Sequence, residues 1–181
     1  MSSRPADELL IRRLTPEDLG AYKALRDRTL ADHPEAFTSD AEAERRKEPA
    51  SYLPRLGLGR PEGGHFTLGA WRGETASAEL VGAISCEREP RIKARHIGHI
   101  IGMMVKSDCN GQGIGRALLV AAIAAARSAH GLEMLTLSVT ASNLAAVGLY
   151  ESLGFVRYGS LPNAIKVEGR YHTKDQMVLM L

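Results

Sequence analysis

Gly102-Met-Met-Val-Lys-Ser-Asp-Cys-Asn-Gly-Gln-Gly-Ile-Gly-Arg-Ala-Leu-Leu119 is the stretch in which the chain changes period, and its reading decides the architecture. Before it, His96–Val105 reads as a strand. After it, Arg116–Ala129 is alanine-rich, with high intrinsic helix propensity, and Gly131 stands past its end as a C-cap. Between them lies the turn Asn110–Gly115. Amides at a helix start have no internal partner, and with the helix dipole they form a ready anion site. Glycines at 111, 113 and 115 let the backbone approach a phosphate closely. A P-loop is excluded, because no Lys-Ser or Lys-Thr pair follows the last glycine. The dinucleotide fingerprint fits poorly, since the spacing is wrong and the next strand does not end on an acid. A plain packing turn is the competing reading. The position between strand and helix favours the anion site.

Working outward, Leu9–Leu14 reads as a first strand. Thr15-Pro16-Glu17-Asp18 then has a hydroxyl cap, proline at the first helical position and an acid at the third, starting a helix that runs to about Ala31. A second, polar helix is expected from Asp40 to Leu53, with Pro49 near its end. Arg55–Gly64 reads as a loop. His65–Arg72 and Leu80–Glu87 flank the loop Gly73–Glu79 and make an antiparallel pair. Past the glycine turn, Leu132–Thr140 is a strand, Leu144–Leu153 a helix closed by Gly154, Phe155–Gly159 a strand and Met177–Leu181 a last one. Antiparallel strands followed by strand–helix–strand–helix–strand predict a mixed α/β sheet with one parallel pair at the central crossover.

The chain of 181 residues is the size of one domain, expected to span 1–181 with 1–8 as a loose tail. Hydrophobic content of 44% with 24% charged residues excludes a disordered chain. A net charge of +2 is too small to announce nucleic acid or an acidic membrane surface. Cys86 and Cys109 have no paired spacing, which argues against a disulfide scaffold or zinc site and for a reducing cytoplasm. Asp7 and Glu8 stand where a signal peptide would be basic then apolar, and Ala117–Ala126 is too short to span a bilayer. No metal, membrane or nucleic-acid partner is expected.

The quoted stretch resembles the cofactor motif of the GNAT acyltransferase superfamily, in which Gln or Arg is followed by two residues, Gly, one residue, then Gly or Ala. Asn143-Leu-Ala-Ala-Val-Gly-Leu-Tyr150-Glu-Ser-Leu-Gly154-Phe155 resembles the superfamily's second signature at the expected distance. The resemblance implies a mostly antiparallel twisted sheet with helices on both faces and a central parallel strand pair. It implies acetyl-coenzyme A as cofactor and an amine-bearing acceptor as partner, with a homodimer an allowed state. Residue by residue, it implies that Met103, Met104 and Val105 offer backbone hydrogen bonds to the pantetheine arm. Gly111, Gln112, Gly113, Ile114, Gly115 and Arg116 would wrap the pyrophosphate, Asn143 would contact the arm, and Tyr150 would protonate the departing thiolate. Asn110 departs from the pattern: its amide can donate to phosphate but lacks the guanidinium's charge and fork.

Transfer to an amine also requires that the acceptor lose a proton. Many superfamily members carry a glutamate where this chain has Ser138. The bases expected instead are His99 first and Glu87 second, with His96 also near. In a regular strand His99 shares a face with Met103 and Val105, whereas a bulge would break that register. Acceptor contacts are expected from Glu35 and Phe37 after the first helix. Tyr171 and His172, in a late loop over Lys166–Lys174, are expected to close over the acceptor. A coenzyme A-binding domain without catalysis is the alternative, motivated by the missing glutamate.

Overall fold

The computed structural model of the chain describes residues 9–60, 62–73 and 78–181. The tail expected over 1–8, and residues 74–77 of the loop Gly73–Glu79, lie outside the described residues. Among the described residues seven strands form one sheet: β1 (Leu9–Arg13), β2 (Phe66–Arg72), β3 (Glu79–Arg88), β4 (Ile97–Val105), β5 (Met134–Thr140), β6 (Val156–Val167) and β7 (Arg170–Met180). Their order is β1-β2-β3-β4-β5-β7-β6. Every neighbouring pair is antiparallel except β4 and β5, which run parallel as the strand–helix–strand order requires.

Helix α1 (Leu19–Asp32) covers one face and α3 (Ile114–Arg127) the other. The α3 stripe of Ile114, Leu118, Leu119, Ala122, Ile123 and Ala126 follows helical spacing and is buried with Ile84, Cys86, Ile100 and Leu135. Leu19, Tyr22 and Leu25 of α1 pack with Trp71, Leu80, Ala83 and Met104 on the opposite side. Helix α4 (Leu144–Ser152) joins the α3 face through Ala146, Leu149 and Tyr150.

Three expectations change. Thr15-Pro16-Glu17-Asp18 does form a capping box, but it starts a 3-10 turn that precedes α1. The helix expected over Asp40–Leu53 is only α2 (Ala41–Arg45), followed by a 3-10 segment, Pro49–Leu56. Pro49 has no amide hydrogen to donate and forces Glu48 into extended backbone (ψ 151), so the helix cannot continue. The late loop does not exist as a loop: Lys166–Lys174 belongs to the β6–β7 hairpin, turning at Glu168-Gly169. Tyr171 and His172 are therefore strand residues.

Candidate active site

The parallel pairing of β4 with β5 lasts three residue pairs, Ile97 with Met134, Gly98 with Leu135 and His99 with Thr136. Beyond that the strands part, while β5 stays paired to β7 as far as Thr140 and β4 to β3 as far as Val105. The two strand edges thus face each other without ladder bonds. A cleft of about 1030 Å³ opens there, lined by Ile100–Val105 on one side and Leu137–Thr140 on the other.

The parting coincides with a bulge. Ala83 pairs with Met104 and Ser85 with Ile101, so two steps on β3 match three on β4. Gly102 takes φ +57, a conformation that side chains rarely adopt, and a Cβ there would lie 3.2 Å from the Arg55 guanidinium. The extra residue exchanges the two faces of the strand. Met103 and Val105 pack toward α3, whereas Met104 joins the α1 core. His99 lies opposite Gly98 and Ile100, which belong to the α3 side, so it shares no face with Met103 and Val105. The regular-strand expectation is corrected by the bulge.

Below the cleft mouth, the glycine turn delivers α3. Gly111 (φ +75) and Gly113 (φ +79) both sit in the left-handed region, and a Cβ at either would meet open space. Gly113 is the N-cap of α3 and makes no side-chain cap, so the first-turn amides stay available for an anion. Gly115 serves packing instead: a Cβ there would come within 2.9 Å of Met103 Cε. The Gln112 side chain turns away, accepting from Arg72 at 2.6 Å, which fastens the turn to β2. Arg116 donates to Ser152 Oγ at 2.9 Å and ties α3 to α4. Asn110 lines the cleft with Gly111, Gly113, Ile114, Gly115 and Arg116.

Two residues of the second signature reach the same cleft. Asn143 caps α4, its Oδ1 accepting from the Ala146 amide at 3.2 Å. Tyr150 is buried, stacked edge-on against Phe155, and among the described residues its hydroxyl donates only to Met103 Sδ, at 3.5 Å. A thioether is a weak acceptor, so the proton is held but lightly committed. Burial disfavours the phenolate and pushes the hydroxyl up to about 12, which keeps it a donor at neutral pH.

The α1-facing wall carries Ser138 and Thr140 on β5, Lys174 on β7, and Glu35 and Phe37 after α1. Thr140 donates to the Glu35 carbonyl at 2.7 Å, fixing that segment to β5. Ser138 accepts from Gln176 at 3.2 Å. His99 and Glu87 do not line the cleft. They are register partners at the paired foot of the strands, where His99 bonds Thr136 Oγ1 at 2.7 Å and Glu87 lies 3.9 Å from Arg55. Tyr171 and His172 also lie outside it, toward the hairpin end. Sequence reading missed Arg26, Arg55, Thr140 and Lys174. Only Arg26 left a trace, as an arginine within the buried stripe Leu19, Tyr22, Leu25, Thr29 of α1. Among the described residues no helix is long and apolar enough to cross a membrane, and no cluster suits a metal.

The acetyltransferase (GNAT) family model matches residues 22–155. The chain belongs to this family. Mycothiol acetyltransferase of Salinispora arenicola is 36% identical over 148 residues, 81% of this chain but 44% of that protein. This chain thus spans less than half the length of that relative. The ribosomal-protein-alanine N-acetyltransferase from Brucella melitensis superposes with a TM-score of 0.75 at 27% identity, over 95% of this chain and 99% of that one. The protein yncA of Salmonella typhimurium, solved with its cofactor acetyl-CoA, shares the fold with a TM-score of 0.76 at 23% identity, over 96% of this chain and 94% of that one. Acetyl-CoA is the cofactor of the family. This GNAT chain fits it in donor chemistry: open space at Gly111 and Gly113, a helix start without a side-chain cap, and unladdered strand edges for an amide-rich arm.

Proposed function

We propose that the protein transfers an acetyl group from acetyl-CoA to an amine of a small molecule or peptide, with both reactants held in one cleft, in the cytoplasm. The observation that carries the reading is the gap where β4 and β5 part. It joins the face bearing Tyr150 and the glycine turn to the face bearing Ser138, Thr140 and Glu35. Direct transfer requires that continuity, because donor and acceptor must meet with no intermediate carrier.

Bound acetyl-CoA supplies an activated thioester. The amides of residues 111–116 hold its pyrophosphate, and the free edge of Met103–Val105 orients the arm. Asn143 borders the arm from the start of α4. Tyr150 Oη holds a proton for the departing sulfur. Glu35, lining the wall beside Thr140, meets the acceptor's ammonium and passes its proton to water. His99 and Glu87, at the foot of the strands, reach the cleft only through intervening solvent. The free thiols of Cys86 and Cys109, both buried, suit a reducing compartment.

The test is release of free coenzyme A thiol, followed colorimetrically, across a broad panel of amines. Turnover with at least one amine is expected. Tight binding of acetyl-CoA with no release from any of them would leave a coenzyme A-binding domain without catalysis.

A further inference from the structure

Lys174 has 9% of its surface exposed and lines the cleft, yet no hydrogen-bond or ion-pair partner for it exists among the described residues. Its register partner on β5 is Thr140, and cross-strand partners point to the same face of a sheet. Alternation along β7 confirms the direction. Asp175 turns the other way, toward Arg157 and Ser160, and Met177 lies in the α3 core, whereas Gln176 bonds Ser138 on the α1 side. The Lys174 ammonium therefore belongs to the wall that receives the acceptor.

The other cations of that wall are already compensated. Arg26 is bound to Glu44 at 2.7 Å, and Arg55 donates to the Tyr22 hydroxyl at 2.9 Å and lies near Glu87. Lys174 is left over. Burial lowers its proton affinity, the direction expected of an ammonium that has lost part of its hydration and has no anion beside it. Such a group gains most from an anion brought by the ligand. Glu35 lines the same wall, is attached to Thr140 through its carbonyl, and has no ion-pair partner among the described residues. Glu35 and Lys174 do not pair with each other either. One wall thus offers an acid and a cation that lack ion-pair partners among the described residues, each on a residue that adjoins Thr140.

We infer that the acceptor carries a carboxylate beside its amine, as a free amino acid does, with Lys174 holding the carboxylate while Glu35 meets the amine. This rests on the acetyl-transfer reading above. A carboxamide, an ester or a peptide N-terminus, whose neighbouring carboxyl is already bonded, leaves Lys174 unanswered. A polyamine brings a second positive charge toward it.

The experiment compares the twenty L-amino acids with their carboxamides as acceptors for the full chain, reading thiol release. Hydrogen bonds to charged groups are worth enough for a preference of about 10- to 100-fold in kcat/KM for acid over amide. In Lys174→Met that ratio falls toward one, and in Lys174→Arg it stays above one. Acetyl-CoA affinity reports whether each variant is folded, and the wild-type ratio stands whether or not the variants fold. Equal rates for acids and amides, a preference for amides, or an unchanged ratio in folded Lys174→Met overturns the inference. Turnover confined to amines without a carboxylate overturns it while the transfer reading stands. No turnover with any amine overturns both.

Discussion

The two halves of the cleft are built by different means. The proposed cofactor half rests mainly on one continuous run, β4 to α3, joined by Asn143 and Tyr150 of α4; that run offers backbone amides where glycine permits them. The proposed acceptor half is assembled from Arg26, Glu35, Ser138, Thr140 and Lys174, which reach one cleft from α1, the segment after it, β5 and β7. A half made of backbone can be recognised as a motif. A half made of distant side chains is specified by topology and is free to vary in what it binds.

The comparison breaks most visibly at the glycine turn. Gly113→Asp places a side chain on a φ of +79 and a negative charge where an anion is expected, so acetyl-CoA affinity should fall by roughly 10²-fold or more. Calorimetry on the folded variant checks this, and unchanged affinity would show that the turn only packs α3. Next in size is Tyr150→Phe. It should lower turnover on the order of 10²-fold while leaving acetyl-CoA affinity nearly intact. Because burial holds the wild-type hydroxyl at about 12, no basic limb from this group should appear in the rate profile below about pH 10. A limb near pH 8 that vanishes in the phenylalanine variant would contradict that.

Glu44→Gln tests the acceptor half alone. Glu44 is buried among Arg26, Tyr52 and Lys47; burial would raise its carboxyl, but hydrogen bonds from Lys47, Tyr52 and Arg26 outweigh it and hold the group at about 2. The folded value lies below the unfolded one, so the stabilisation is full above about pH 4.5 and is lost as pH falls toward 2. Removing the charge strands buried Arg26 and should cost about 3 kcal/mol, with acceptor KM rising more than acetyl-CoA Kd. Chemical denaturation at pH 7 measures the first, and steady-state kinetics the second. The smallest effect is expected of His99→Ala. Standing outside the cleft, it should reduce kcat/KM less than about tenfold and leave any acidic limb in place. Loss of that limb would restore His99 as the base.

The same contrast explains what the sequence let us read. Asn110–Gly115 and Asn143–Gly154 were legible because a left-handed glycine turn and a capped helix impose residue types locally. The parallel pair followed from element order. The bulge at Gly102 was not legible, since one glycine among apolar residues fits a regular strand equally well. The β6–β7 hairpin was hidden for another reason. β6 is an edge strand, exposed on Val156, Tyr158 and Leu161 and interrupted by Pro162, so it lacks the alternation that marks a half-buried strand. Lys174 gave no signal, because its place in the cleft wall depends on pairing with β5, far away in the chain.

The three-pair seam between β4 and β5 has a consequence for motion. On one side of it the chain is laddered continuously from β1 to β4, on the other from β5 through β7 to β6. Beyond the three pairs the two are joined by the hydrophobic layer beneath α3 and by side-chain bonds such as His99 to Thr136 and Thr140 to the Glu35 carbonyl. The sheet is thus two plates sharing a short hinge, and the hinge is where protein-to-protein hydrogen bonding is thinnest. Sub-global opening should follow that line, so that β5 and β7 exchange their amide hydrogens as one cooperative unit and β2 and β3 as another. A ligand seated in the gap touches both plates at once. It would act as the missing rungs of the ladder, making the molecule stiffest at the moment it is loaded.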